Sequence, residues 1–146
     1  MKILFDTHVL LDALLTREPF VADAVALLEA VKAGKIKGFM SATTVTDVHY
    51  LVFRQTKSTE VAITAVSRLL ALLKICAVDQ STLEQALALN LPDFEDAVQI
   101  ACAITSEINA ITTRDVKGFT DSPVAAWLPK DLKNQLTKAN EKSIDL

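Results

Sequence analysis

The chain has 146 residues, a formal net charge of -3 and a sequence pI near 5.3. That length suits one domain. The acidic balance excludes a uniformly basic face for nucleic acid or membrane, so contact with a polyanion has to come through a local patch or through metal ions held by acids.

A hydrophobic content of 51% allows a real core. No apolar run reaches the length that spans a bilayer. The Met-Lys start and the apolar run after it are interrupted by Asp6 and Asp12, which argues against a signal peptide. Cys76 and Cys102 lie in apolar contexts without zinc spacing and read as reduced, buried thiols of a cytoplasmic protein.

Ile3-Leu4-Phe5 predicts a buried strand that ends in Asp6, and Thr7 to Leu15 predicts a short helix. Thr16-Arg17-Glu18-Pro19 is a break, with Pro19 expected early in a second helix through Ala22, Val25, Leu28 and Val31 that Gly34 ends. Ile36 to Met40 predicts a second strand, and Ser41 or Thr43 would cap a helix over about Thr43 to Arg54. Ser58 would cap a long helix to Leu73, and Ile75 to Val78 predicts a third strand. Ser81-Thr82-Leu83-Glu84 has the spacing of a capping box. After the break at Asn90-Leu91-Pro92, Asp93-Phe94-Glu95-Asp96 leads a helix rich in small and apolar residues. Asn109 to Thr112 predicts a fourth strand, Val124 to Trp127 a short fifth, and Pro129 the start of a terminal helix. Residues 1–139 read as one domain and 140–146 as a C-terminal tail.

Strands alternate with helices throughout, which predicts a parallel sheet covered on both faces. Right-handed crossovers would bring the strand ends to one edge, where ligands bind in such sheets. That edge would receive Asp6 after the first strand, Asp47 in the helix after the second, Asp93 and Asp96 at the head of the helix before the fourth, and Asp115 after the fourth. Each has a bland alternative. Asp6 and Asp93 suit N-caps, Asp96 suits a helix first turn, and Asp115 suits a turn. Asp47 sits mid-helix between Val45 and Val48, where Asp has poor propensity, and could simply face water. Jointly, the carboxylates suggest a cluster that only a hard divalent cation would neutralise. His8 and His49 have no further nitrogen or sulfur ligands around them, so zinc does not fit.

The opening Ile3-Leu4-Phe5-Asp6-Thr7-His8-Val9-Leu10-Leu11-Asp12 resembles the strand-Asp-Thr-Asn-Val-Leu start of PIN-domain ribonucleases, of the kind that serve as VapC-type toxins. Asp93-Phe94-Glu95-Asp96-Ala97-Val98-Gln99-Ile100-Ala101 resembles their Asp-Ala-x-Ile-Ala helix. Thr112-Thr113-Arg114-Asp115-Val116-Lys117-Gly118-Phe119 resembles their Thr-Arg-Asn-x-x-Asp-Phe segment. No single motif is specific, but their order and spacing span nearly the whole chain.

The resemblance implies a three-layer α/β/α sandwich with a mainly parallel twisted sheet of about five strands. It implies a Mg2+- or Mn2+-dependent endoribonuclease that leaves 5′-phosphate and 3′-hydroxyl ends on its RNA substrate. The matching acids are Asp6, Asp47, Asp96 and Asp115. Asp93 is an added carboxylate near the metal, and Thr7 and Thr113 match small hydroxyl positions that hold water or metal. Arg114, or Lys117 beside it, would steady the substrate phosphate. A homodimer and a silencing antitoxin are the implied protein partners. His8 departs from the usual Asn or Ser, Asp47 stands where Glu is commoner, and Gly118 stands where an acid is often found. These departures leave open a degenerate module that binds RNA or protein without cutting.

Overall fold

The computed structural model describes residues 1–144, with side chains to residue 139. Five strands form one sheet: β1 (Lys2–Phe5), β2 (Lys37–Ser41), β3 (Lys74–Cys76), β4 (Ala110–Thr112) and β5 (Ala125–Trp127). Their order is β3-β2-β1-β4-β5, and every neighbouring pair is parallel. Seven α-helices are described: α1 (Thr7–Leu14), α2 (Val21–Lys32), α3 (Ala42–Thr56), α4 (Thr59–Leu72), α5 (Gln80–Ala88), α6 (Phe94–Thr105) and α7 (Pro129–Ile144). A 3-10 turn spans Val116–Phe119.

Alternation along β1 divides the core. Ile3 and Phe5 join Met40 and Ala110 in a cluster with Leu10, Leu27, Val48, Leu69 and Leu132, under α1 to α4 and α7. Leu4 faces the other way, with Phe39 and Ile111, and meets Ala86 of α5 and Ala97, Ile100 and Ala101 of α6. A strand buried on both sides must be apolar throughout, and Ile3, Leu4 and Phe5 are all fully buried. The result is the expected three-layer α/β/α sandwich.

The chain runs outward from β1 through β2 to β3, then returns to lay β4 on the opposite side of β1. This reversal opens a crevice beyond the carboxyl ends of β1 and β4, the place where open α/β sheets bind ligands. The amide of Asp6 donates to the Thr112 carbonyl at 3.0 Å and that of Thr113 to Trp127 at 3.0 Å, so the two loops leave the sheet side by side.

Local signals hold at several helix starts. Ser41 caps α3 through the Thr44 amide, and Ser58 caps α4 through Val61. Two details differ from the sequence reading. Pro19 lies in a turn ahead of α2, which starts at Val21. The box that opens α5 is built by Asp79 and Thr82 rather than from Ser81 and Glu84, because Asp79 leaves β-like backbone geometry immediately before the helix and its carboxylate reaches the Thr82 amide at 2.9 Å.

Both cysteines are buried free thiols, and burial pushes Cys102 up to about 12. No helix of the described residues is long and apolar enough to cross a membrane. The tail expected at 140–146 overlaps the end of α7; residues 145 and 146 lie outside the described residues.

Candidate active site

Asp6 stands at the N-cap position of α1, yet its side chain makes no cap hydrogen bond. Its carboxylate turns instead into the crevice. Oδ1 accepts from Gln99 Nε2 at 2.7 Å, and Oδ2 accepts from Thr113 Oγ1 at 3.2 Å. Together the two bonds fix the orientation of the carboxylate. Gln99 is 2% exposed and 93 residues away in the chain. It lies on α6 among Ala97, Val98, Ile100 and Ala101. A polar side chain inside an otherwise apolar helix face was the overlooked signal for this residue. Thr113 also accepts from the Asp115 amide at 3.2 Å, so one hydroxyl links the turn carrying Asp115 to Asp6.

α6 presents its N-terminal end to the same crevice. Asp93 caps it, accepting from the Asp96 amide at 3.0 Å. The Asp96 carboxyl is raised to about 7, first by burial and then by the negative charges of Asp93, Asp6, Asp115 and Glu95. Glu95 is raised too, by burial first, then by Asp47 and Asp6, and it shares a hydrogen bond with Asp47 when protonated. Asp47 therefore looks toward the acids. Glu95 is a further member that the sequence reading left unassigned, although three acids within Asp93 to Asp96 already marked the turn.

Gly118 explains how Asp96 fits. A Cβ at this position would lie 2.7 Å from Asp96 Oδ2 and 3.5 Å from Asp115 Oδ2. The space that a side chain would occupy at 118 is taken by the Asp96 carboxylate, with Asp115 close by. The missing acid at 118 thus reflects a carboxylate already in its place.

Two expected helpers lie elsewhere. Thr7 is buried, with its hydroxyl 3.1 Å from Thr44 Oγ1, which in turn lies 3.0 Å from Ser41 Oγ. It ties the start of α1 to the start of α3, the helix that carries Asp47, and its hydroxyl is spent on that link. Arg114 points away from the acids. Its Nε lies 2.9 Å from Asp12 Oδ2, off the line of a well-directed hydrogen bond, and its guanidinium sits 4.2 Å from the centre of the Phe20 ring. Asp12 is fully buried; burial raises its carboxyl while Arg114 and Arg17 oppose that rise. Lys117 is exposed on the 3-10 turn.

The donor set, carboxylate oxygens with supporting hydroxyls and no thiolate, is that of a hard divalent cation. The mutual repulsion at Asp96 is the penalty such an ion would remove. Among the described residues, no group of three acidic, histidine or cysteine side chains already stands at metal-holding spacing.

A family model described as PIN domain matches residues 2–117. No curated protein matches the chain. Among solved structures, VapBC2 from Rickettsia felis, bound to a DNA fragment from the VapBC2 promoter, aligns with a TM-score of 0.68 at 16% identity. That match covers 88% of this chain and 98% of that one. A toxin–antitoxin complex from Klebsiella pneumoniae aligns at 0.64 and 24% identity, over 87% and 97%. VapC20 from Mycobacterium tuberculosis, a toxin that cleaves the sarcin–ricin loop, aligns at 0.61 and 18% identity, over 75% and 86%. The chain belongs to the PIN-domain family, and it shares its fold with VapC-type toxins.

Proposed function

We propose that this protein is a Mg2+- or Mn2+-dependent endoribonuclease, the toxin of a toxin–antitoxin pair. The observation that carries this reading is the convergence of acids from separate elements on the β1/β4 crevice. Asp6 is held there at both oxygens, and the Asp96 and Asp115 carboxylates both lie against Gly118. Asp6, Asp96 and Asp115 would hold the ion, with Asp47, Asp93 and Glu95 bordering it. When bound, such an ion supplies Lewis acidity toward water and offsets charge building on the phosphate oxygens.

The chain's own residues set the stage. Gln99 and Thr113 hold the Asp6 carboxylate turned into the crevice. Asp96, poised near neutrality, can hold or release a proton at its carboxyl. Glu95, whose carboxyl is raised by burial and by Asp47 beside it, borders the same crevice. The solved toxin–antitoxin relatives support an antitoxin as the silencing partner, and a second copy of the chain is the further partner we propose. Tyr50 and Phe53 on α3 and Ile63 and Leu70 on α4 are exposed apolar groups suited to such contacts.

Labelled RNA incubated with Mn2+ tests this directly. The wild type should cut and Asp6→Asn and Asp96→Asn should not; equal cleavage by all three would end the proposal. The spacing of the acids also favours a second reading, a module that binds without cutting. Calorimetric titration with Mn2+ separates the two: a nuclease binds the ion and loses it on Asp96→Asn, whereas a binding module shows no ion uptake.

A further inference from the structure

Arg114, in the turn between Thr113 and Asp115, lines a cavity of about 460 Å3 that the proposed reaction does not use. It falls within the roughly 300–1,000 Å3 typical of small-molecule sites. Phe20 and Leu128 form its apolar wall, and Arg114, Lys130 and Lys133 bring positive charge, with Asp23 as the acid among them. Arg114 joins the cavity to the catalytic edge, since its chain neighbours are Thr113, which holds Asp6, and Asp115.

From this we infer that the cavity is a nucleotide subsite, which receives the RNA residue flanking the scissile phosphate, base against Phe20 and phosphate against Arg114 and Lys130. The inference rests on the nuclease reading above and extends it to how the strand is gripped.

Three features support it. First, Arg114 is held in advance. The buried Asp12 carboxylate pairs with its Nε side at 2.9 Å and the guanidinium lies 4.2 Å from the centre of the Phe20 ring. A guanidinium fixed in this way offers its remaining donors to a phosphate with little ordering cost. Second, Lys133 is committed to Asp23 at 2.6 Å, but Lys130 forms no ion pair among the described residues and is exposed at the rim. Third, Phe20 is 38% exposed although it packs against Arg114. An aromatic surface beside a guanidinium is the platform on which unpaired bases stack. The need is clear as well. A polyanion approaching several carboxylates on a chain of net charge -3 requires nearby cations to hold it.

The test measures equilibrium binding of a fluorescent single-stranded oligoribonucleotide by anisotropy, in the non-cleaving Asp6→Asn background, with cleavage by the otherwise wild-type chain run in parallel. Lys130→Glu changes an exposed side chain and should leave the circular dichroism spectrum intact. It should weaken binding about tenfold, more at low salt than at high salt. Phe20→Ala should weaken it by a similar factor through lost stacking. Photocrosslinking with 4-thiouridine RNA and peptide mapping should place the adduct on Phe20 or at the start of α7. Normal RNA cleavage and binding by both variants would overturn the subsite and leave the nuclease standing. A wild type that neither binds nor cuts RNA would overturn both. Loss of binding to a protein partner with RNA binding intact would assign the cavity to that partner and refute the subsite.

Discussion

Replacing Asp96 by Asn should make the protein more stable at pH 8 and leave it unchanged below about pH 4. The Asp96 carboxyl is raised from 3.8 to about 7, by burial first and then by the surrounding acids. A carboxyl raised in the folded state keeps its proton where the unfolded chain has already lost it. Stability is therefore greatest below about pH 4, falls as the pH climbs toward 7, and levels above that. Each pH unit in this window corresponds to about 1.36 kcal/mol. Complete shielding would make the whole effect about 4 kcal/mol, but water reaches this carboxyl, and screening reduces it to roughly 2 kcal/mol. Asn keeps the shape beside Gly118 and removes the charge. Thermal melts should thus show the variant higher by roughly 4–8 °C at pH 8, with the two curves meeting near pH 4. Millimolar Mg2+ should raise the wild type at pH 8 and leave the variant where it is. Parallel pH profiles for the two proteins would refute the reasoning, because they would mean that no charge is confined at this position.

Mn2+ affinity, followed by calorimetry, should fall roughly tenfold per pH unit below about 7, as protons compete for Asp96; a flat profile from pH 8 to 6 would exclude Asp96 as a ligand. Gly118→Ala should displace the Asp96 carboxylate, 2.7 Å from the new methyl, and lower cleavage at least tenfold while melting changes little. Retained activity there would show that the carboxylate need not sit where it is. Asp12→Ala should leave the buried Arg114 Nε without its partner, cost about 2 kcal/mol in denaturant unfolding, and loosen the turn that carries Thr113 and Asp115. Gln99→Leu should preserve the volume but remove the donor to Asp6 Oδ1, with a fall in the cleavage rate larger than any change in melting temperature. Chelation with EDTA should stop cleavage by the wild type, and added Mn2+ should restore it.

Much of the architecture was legible because its signals are local. Apolar runs of three to five residues between helix-period segments mark strands buried on both faces, as at Ile3 to Phe5. Ser41 and Ser58 cap where their position suggested. The capping box at α5 was misread by two residues because two overlapping sets of polar residues have suitable spacing, and only backbone geometry chooses between them. Asp6 shows a deeper limit. Its place before a helix suits a cap, and nothing local says that its oxygens turn to Gln99 and Thr113 instead.

The sequence by itself determined that carboxylates would follow β1 and β4 and head α6, since chain order and alternating hydrophobicity already assign those positions to one edge of a parallel sheet. Only the tertiary structure decided which oxygens meet there. It turned Asp47 and Glu95 toward each other, cleared room for Asp96 at Gly118, spent the Thr7 hydroxyl on Thr44, and drew Arg114 down onto Asp12 and Phe20. Periodicity fixes which side of an element a residue occupies, whereas the direction of a polar side chain depends on partners that arrive from distant parts of the chain.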